Sequence, residues 1–395
     1  MKKVLILNGS FCEKPLIIKA KQMGYHVTTT GNMPELEGHK YADEYIPCDY
    51  SDKEAVLQLV QTNGIEGIVS CANDFGVLTA TYVSEQMEWK GQDTYNNAVL
   101  LHHKDQFKQY CRCHHIPSPL SEVFTDKLSA VKFCKTVKYP IMVKANDLTG
   151  GKGINRANTL QEAVTALEIA FEASRDKHIV IEPYIEGTQH TFETFVVNKK
   201  VVADTSCNCY SPLNPYLIQT ETFPADDIEK YRLELISIVE QICSDLSLAD
   251  GVFALQYIVK DEKVYIIEMM RRPFGNDFLS LCSYTTGFDM VEGHIRSQLG
   301  LDCQCLVDQM EEPSMVYCGH HGIMAQRNGY VTGYKIPDEI EEHIFDRVDM
   351  IKEGQPLLIH DYTKERISYI FYQYDDKDVM ERAVKDFNKK IKIIY

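Results

Sequence analysis

Apolar and polar positions alternate in short blocks along the first hundred residues. "KVLIL" predicts a strand, "KPLIIKAKQMG" a helix, "YHVTTT" a second strand, and "EAVLQLVQTNG" a helix that leads into the strand "IEGIVSC". Strand and helix in alternation predict a small parallel sheet. The turn after the first strand, "NGSF", lacks the GxGxxG of a dinucleotide fingerprint, so the shape is Rossmann-like without a sign of NAD. Near Pro117 to Pro119 the pattern changes. A helix in "SAVKFCKTV" leads to the strand "YPIMVKAND", the Gly-rich "LTGGKGI", a helix from about Thr159 to Ala173, the strand "HIVIEPYIEG" and an antiparallel partner in "HTFETFVVNKKVVAD". A long helix, "DIEKYRLELISIVEQICSDL", then returns to "QYIVKDEKVYIIEMMRR", where two apolar runs flank the polar "KDEK" as in a β-hairpin. Beyond about residue 310, short strands with Gly turns ("GIMAQRNGYVTGY") end in one helix, "KDVMERAVKDFNKKI". The fold class expected is therefore α/β followed by α+β.

Composition narrows the function. The chain has 395 residues, 44% hydrophobic and 25% charged, which suits several globular cores. A net charge of −16 disfavours nucleic acid and anionic lipid as partners. The apolar core of "MKKVLILNGSF" is too short for a signal peptide, and no stretch approaches the ~18 apolar residues of a membrane span, so a cytoplasmic protein is expected. The 13 cysteines form no CxxC pair, but CxC occurs at Cys111/Cys113, Cys207/Cys209 and Cys303/Cys305. Reduced thiols are expected. "CRCHH" offers soft metal ligands in a tight group, yet reads better as a helix end before "IPSP".

Three motifs carry chemistry. In "VKANDLTGGKG", Lys144 ends a strand and Gly150, Gly151 and Gly153 follow, a loop whose N–H groups can approach phosphate oxygens. It is not a Walker A loop. In "IVIEPYIEG", the Pro183 carbonyl and the Ile185 N–H can face the amine and ring nitrogen of an adenine, although an ordinary strand end has the same sequence. In the hairpin, Gln256 and Glu268 offer oxygen ligands to a hard cation such as Mg²⁺, and Arg272 offers charge to a transferring phosphoryl group.

Lysine, glycine loop, strand-end hinge, oxygen-bearing hairpin and arginine, in that order, resemble the ATP-grasp superfamily over nearly the whole chain. The resemblance implies a Rossmann-like preATP-grasp domain (about 1–100), a two-lobed ATP-grasp domain (about 101–310, mobile lid about 118–190) and a small C-terminal accessory domain (about 311–395). It places Lys104 and Lys144 on the nucleotide phosphates, Glu182 and Ile185 at the adenine hinge, and Glu268 and Arg272 in the family's E-x-N-x-R. Gln256 resembles the metal-binding Gln of the carbamoyl-phosphate synthetase large subunit. Two positions depart: Met270 stands where Asn is usual, and His190 where many members place an acidic ribose contact. The implied cofactors are ATP and Mg²⁺ (or Mn²⁺). The implied activity resembles that of L-amino-acid ligases: a carboxylate is activated as an acyl phosphate and coupled to an amine, with ADP and phosphate released. A bicarbonate-using carboxylase or synthetase and a non-catalytic nucleotide binder are the alternatives. The partners implied are small carboxylic acids and amines, with a homodimer as one allowed assembly. Arg271, Asn276 and Arg327 are candidates to hold a substrate carboxylate or phosphate.

Overall fold

The structure, a computed structural model, describes residues 1–148, 150–359 and 365–395. The N-terminal sheet is parallel, with Lys3–Leu7 between His26–Gly31 and Ile68–Val69, and Glu44–Pro47 at the edge. Leu5, Ile6 and Leu7 are all fully buried, as expected of a parallel strand covered on both faces. Helix Lys53–Asn63 behind it starts on an Asp52 cap and stops at Gly64, whose φ of 63° only glycine adopts cheaply.

Residues 122–183 form a second, four-stranded sheet in the order Glu122–Phe124, Ile179–Pro183, Ile141–Ala145, Ile154–Ala157. Helices Lys127–Cys134 and Leu160–Ala173 cover it and close a core of their own, with Val143, Ala163, Leu167 and Ile181 at its centre. This core is confined to the segment.

The third sheet is the largest. Eight antiparallel strands run in the order Lys263–Met270, Gly251–Lys260, Thr188–Val197, Lys200–Tyr210, Thr220–Phe223, Tyr317–Met324, Arg366–Tyr374, Ile344–Asp349. The segment beyond residue 310 thus extends the same sheet, although it also has a small core around Ile370, Tyr372 and Phe387. Side-chain alternation splits the sheet into two faces. Phe192, Phe253, Leu255 and Tyr257 pack under the long helix Ile228–Asp245. On the opposite face Phe195, Val252, Ala254 and Met270 pack against helices Phe278–Thr286 and Met290–Gln298. The expected hairpin is present, and its turn residues Asp261 and Glu262 have φ of 49° and 58°, the positive pair of a type I′ turn. The single C-terminal helix expected is instead two, Lys377–Val384 and Phe387–Lys390. At the break the Asp386 N–H bonds to the Ala383 carbonyl, a tighter turn that brings Phe387 into the core. Among the described residues no helix is long and apolar enough to cross a membrane.

Candidate functional site

Helix Lys104–Cys113 presents Lys104 and Lys108 one turn apart, on the same side. Both are buried. The Lys104 ammonium donates to the Leu148 carbonyl at 2.7 Å, at the entrance to the glycine loop, and lies 3.1 Å from Glu268 Oε1 on the hairpin. One side chain therefore ties the small sheet to the large one.

Lys144, on a strand of the small sheet, donates to Glu182 Oε1 on the neighbouring strand. Lys108 lies 3.1 Å from Glu182 Oε2, an ion-pair distance although the angle falls outside hydrogen-bond geometry, and donates to Ser118 Oγ at 2.9 Å. Burial disfavours the Glu182 carboxylate, but Lys108 and then Lys144 outweigh it and hold the carboxyl below its usual range. Burial likewise lowers Lys108, with Glu182 opposing. Two ammonium groups share one carboxylate here, and a phosphate would relieve that shortage of negative charge.

The glycine loop needs its glycines. Gly151 and Gly153 have φ of 78° and 66°, and a Cβ on Gly151 would sit 2.3 Å from the Tyr216 carbonyl oxygen. Gly150 is also left-handed, with open space around it, while Thr149 of "TGGKG" lies outside the described residues. At the hinge the Tyr184 N–H bonds to the Pro140 carbonyl, which leaves Pro183 and Ile185 flanking a strand end beside Glu182.

Gln256 and Glu268 are direct cross-strand partners, so both face the same side. A bulge just beyond Gln256 twists the hairpin there. The contact of Lys104 with Glu268 shows that this carboxylate accepts a cation, and an amide oxygen beside it completes the kind of oxygen pair a hard cation takes. Met270, two residues on, is buried in the core opposite Ala254 and adds no hard ligand.

The two arginines part company. Arg272 is buried, donates to Asp74 Oδ1 and to the Pro273 carbonyl at 2.9 Å, and Asp74 and then Glu268 favour its charged form against burial. Asp74, at the start of helix Asp74–Gln86, also lies 3.2 Å from His102 Nδ1. Burial opposes its charge, but Arg272 and then His102 hold its carboxyl far below the usual range. Arg271 is taken up by other contacts. Its Nε donates to Asp93 at 2.7 Å and its terminal nitrogens to the Val252 and Ala249 carbonyls at 2.7 and 2.6 Å, because alternation turns it away from the side Arg272 faces.

Three further expectations meet the structure differently. His190 lies beside Thr191 on the strand but on the opposite face from Gln256 and Glu268, since Thr191 is the residue paired with Gln256. There it stacks on Tyr257 at 5.1 Å and contacts Thr188 Oγ1 at 2.7 Å. Arg327 is exposed and lies over the Tyr395 ring at 4.4 Å, a surface contact of the C-terminal segment. Asn276 does join the N-terminal loop: with φ of 73°, its N–H bonds to Cys12 Sγ at 3.1 Å.

Lys108, Asp74 and Glu193 went unread in the sequence. Lys108 follows Lys104 by one helical turn, a spacing that was legible. Glu193 shares the Gln256 face, is fully buried, and neither of its oxygens has a hydrogen-bond partner among the described residues. Burial pushes its carboxyl well above the usual range, with Arg272 opposing.

Comparisons with known proteins bear on the fold. Residues 102–213 match the model of the phosphoribosylglycinamide synthetase ATP-grasp (A) domain. The chain is 23% identical over 239 residues to the carbamoyl phosphate synthase large chain of Thermoanaerobacter sp. (strain X514), covering 57% of this chain and 21% of that protein. The chain thus spans about a fifth of the length of that curated relative. An L-amino acid ligase from Bacillus licheniformis superposes with a TM-score of 0.83 at 16% identity, over 100% of this chain and 99% of the other. The biotin carboxylase domain of a Hydrogenobacter thermophilus 2-oxoglutarate carboxylase, in complex with MgADP, ADP and bicarbonate, gives 0.77 at 19% identity, over 100% and 90%.

Proposed function

We propose that this chain, which carries the ATP-grasp fold, is an ATP-dependent ligase that activates a carboxylate as an acyl phosphate and couples it to an amine. One observation carries the reading: Lys104 joins the glycine loop to Glu268, next to the Gln256–Glu268 oxygen pair and the Lys144–Glu182–Lys108 cluster. Cations, glycine N–H groups and hard oxygen ligands converge between two sheets, one of which has a separable core.

In this reading Lys104, Lys144 and the glycine loop bind the phosphates of ATP, and Lys144 leaves Glu182 to do so. Glu182, Pro183 and Ile185 border the adenine. Gln256 and Glu268 hold Mg²⁺, which when bound would offset charge between the phosphates. A carboxylate oxygen attacking the γ-phosphorus faces anionic repulsion, and Arg272, held by Asp74, lowers that repulsion from the protein side. The oxygen forms a bond to phosphorus as the bond to ADP breaks. The amine then attacks the acyl carbon, phosphate leaves, and the amine loses a proton. No side-chain nucleophile is required. Asn276, beside the Cys12 loop, remains the candidate for the carboxylic acid, and the proposed domains are 1–100, 101–310 and 311–395.

The test is phosphate release with ATP and Mg²⁺ across amino acids singly and in pairs, with and without bicarbonate. Release that requires an acid–amine pair is the expected result. Release driven by bicarbonate alone would replace this reading with a carboxylase, and nucleotide binding without release across the panel would overturn ligation. Lys144→Ala should weaken ATP binding about tenfold or more, roughly 1.4 kcal/mol, in calorimetry; unchanged affinity would remove Lys144 from the phosphate site.

A further inference from the structure

The cradle leaves one polar cluster on the large sheet unused. Cys207 and Cys209 stand two apart on strand Lys200–Tyr210, so both point to the same face. Glu221 lies directly across from Cys209 on the next strand, and His320 directly across from Glu221 on the one after. All four are buried. Cys207 Sγ and Cys209 Sγ lie 3.5 and 3.6 Å from the same oxygen, Glu221 Oε1, and the ligand atoms of these three residues all lie within 4.8 Å of one another. His320 Nε2 contacts the other oxygen, Oε2, and Thr191 Oγ1 lies 3.3 Å from Cys209 Sγ.

Buried cysteines elsewhere in the chain serve as small apolar groups. Cys134 packs in the core of the small sheet and Cys243 on the long helix, each among aliphatic side chains. At Glu221 two thiols instead converge on one carboxylate oxygen. S–H is a weak donor, so on that side a buried anion is poorly compensated. Replacing the two thiol protons by one divalent cation gives two thiolates and a carboxylate around a 2+ charge, with two protons released to solvent.

We propose that Cys207, Cys209 and Glu221 bind one Zn²⁺ ion, with His320 holding the far oxygen of Glu221 so that Oε1 faces the two sulfurs. Thiolates select Zn²⁺ over Mg²⁺, and a ligating carboxylate is commonly steadied by a hydrogen bond from outside the ligand set. Three protein ligands leave a fourth position for water or a substrate donor. The site is distinct from the Gln256–Glu268 pair: Cys207 lies across Thr191 from Gln256, two strand spacings or about 10 Å away.

Full-length protein is unfolded and refolded with Co²⁺, then titrated with Zn²⁺ while its near-ultraviolet spectrum is followed. The expected result is a thiolate-to-cobalt charge-transfer band at roughly one equivalent, abolished by Zn²⁺ and insensitive to Mg²⁺. An oxygen-only site cannot produce that band, so cobalt at Gln256 and Glu268 does not imitate it. Cys207→Ser and Cys209→Ser should each remove the band, Glu221→Gln should weaken cobalt binding about tenfold or more, and Cys113→Ser, at an exposed position, should leave it intact. No charge-transfer band in refolded wild-type protein would overturn the proposal without recourse to any variant. So would a band that survives Cys207→Ser and Cys209→Ser together.

Discussion

Arg271 and Arg272 are neighbours in the chain, both buried, and each is paired with an aspartate from the N-terminal hundred residues. Their surroundings give them different work. Arg271 gives its guanidinium to Asp93 and to backbone carbonyls around Ala249 and Val252, and so welds the hairpin strand to the N-terminal hundred residues. Arg272 also holds an aspartate, but its charge opposes the raised carboxyl of Glu193, and Glu268 in turn favours its charge, on the face where cations and phosphates are proposed to meet. One arginine closes a joint and the other furnishes a site. Identical side chains acquire these roles from which way a strand turns them and from what lies opposite.

The largest effect should come from the joint. Arg271→Ala strands Asp93 in a buried position and should cost roughly 3–5 kcal/mol in denaturant unfolding; a loss near that of a surface substitution would break the contrast with Arg272. Acid should then attack the same side. His294 is buried, contacts the Ser70 carbonyl at 3.3 Å, and has its pKa lowered from 6.5 to about 4 by burial and the Arg271 charge, against the Ser70 bond. Between those two values the unfolded chain takes up a proton that the folded chain refuses. Stability should therefore fall as pH drops through that window, by on the order of 3 kcal/mol. His294→Gln should flatten the profile, and a wild-type profile already flat there would show that the joint is open to water.

On the other side the readout is turnover rather than folding. Arg272→Lys keeps a charge against Asp74 but loses the planar fork, and should lower turnover about 100-fold while costing less stability than Arg271→Ala. Equal losses of stability from the two would erase the distinction drawn between them. The smallest effect expected is at Met270. Met270→Asn adds a hard ligand beside Glu268 and should lower the Mg²⁺ needed for half-maximal turnover roughly threefold to tenfold, about 1 kcal/mol. An unshifted Mg²⁺ titration would show that Gln256 and Glu268 suffice.

Much of this architecture was legible because it is local. The "KDEK" turn and the long helix before the hairpin both follow from residues a few positions apart. The Gln256–Glu268 pairing follows from hairpin register alone. His190 illustrates the limit. A spacing counted from Gly187 says how far along the strand a residue lies, yet a step of one residue exchanges the two faces, so spacing alone does not say that His190 faces away from Gln256. Arg327 could not be located at all until its segment was seen to fold beside Tyr395.

What the sequence by itself determined is the set of elements, their order, and the residue types able to meet phosphate and a hard cation. Which of those residues meet was decided only in the tertiary structure. Lys108 joins Lys144 at Glu182 because a helix and two strands pack together, and Cys207, Cys209, Glu221 and His320 converge from three strands spread over more than a hundred residues. Local periodicity depends on chain neighbours, but desolvation and charge pairing depend on whatever is brought within a few ångströms, and only the packed fold supplies that.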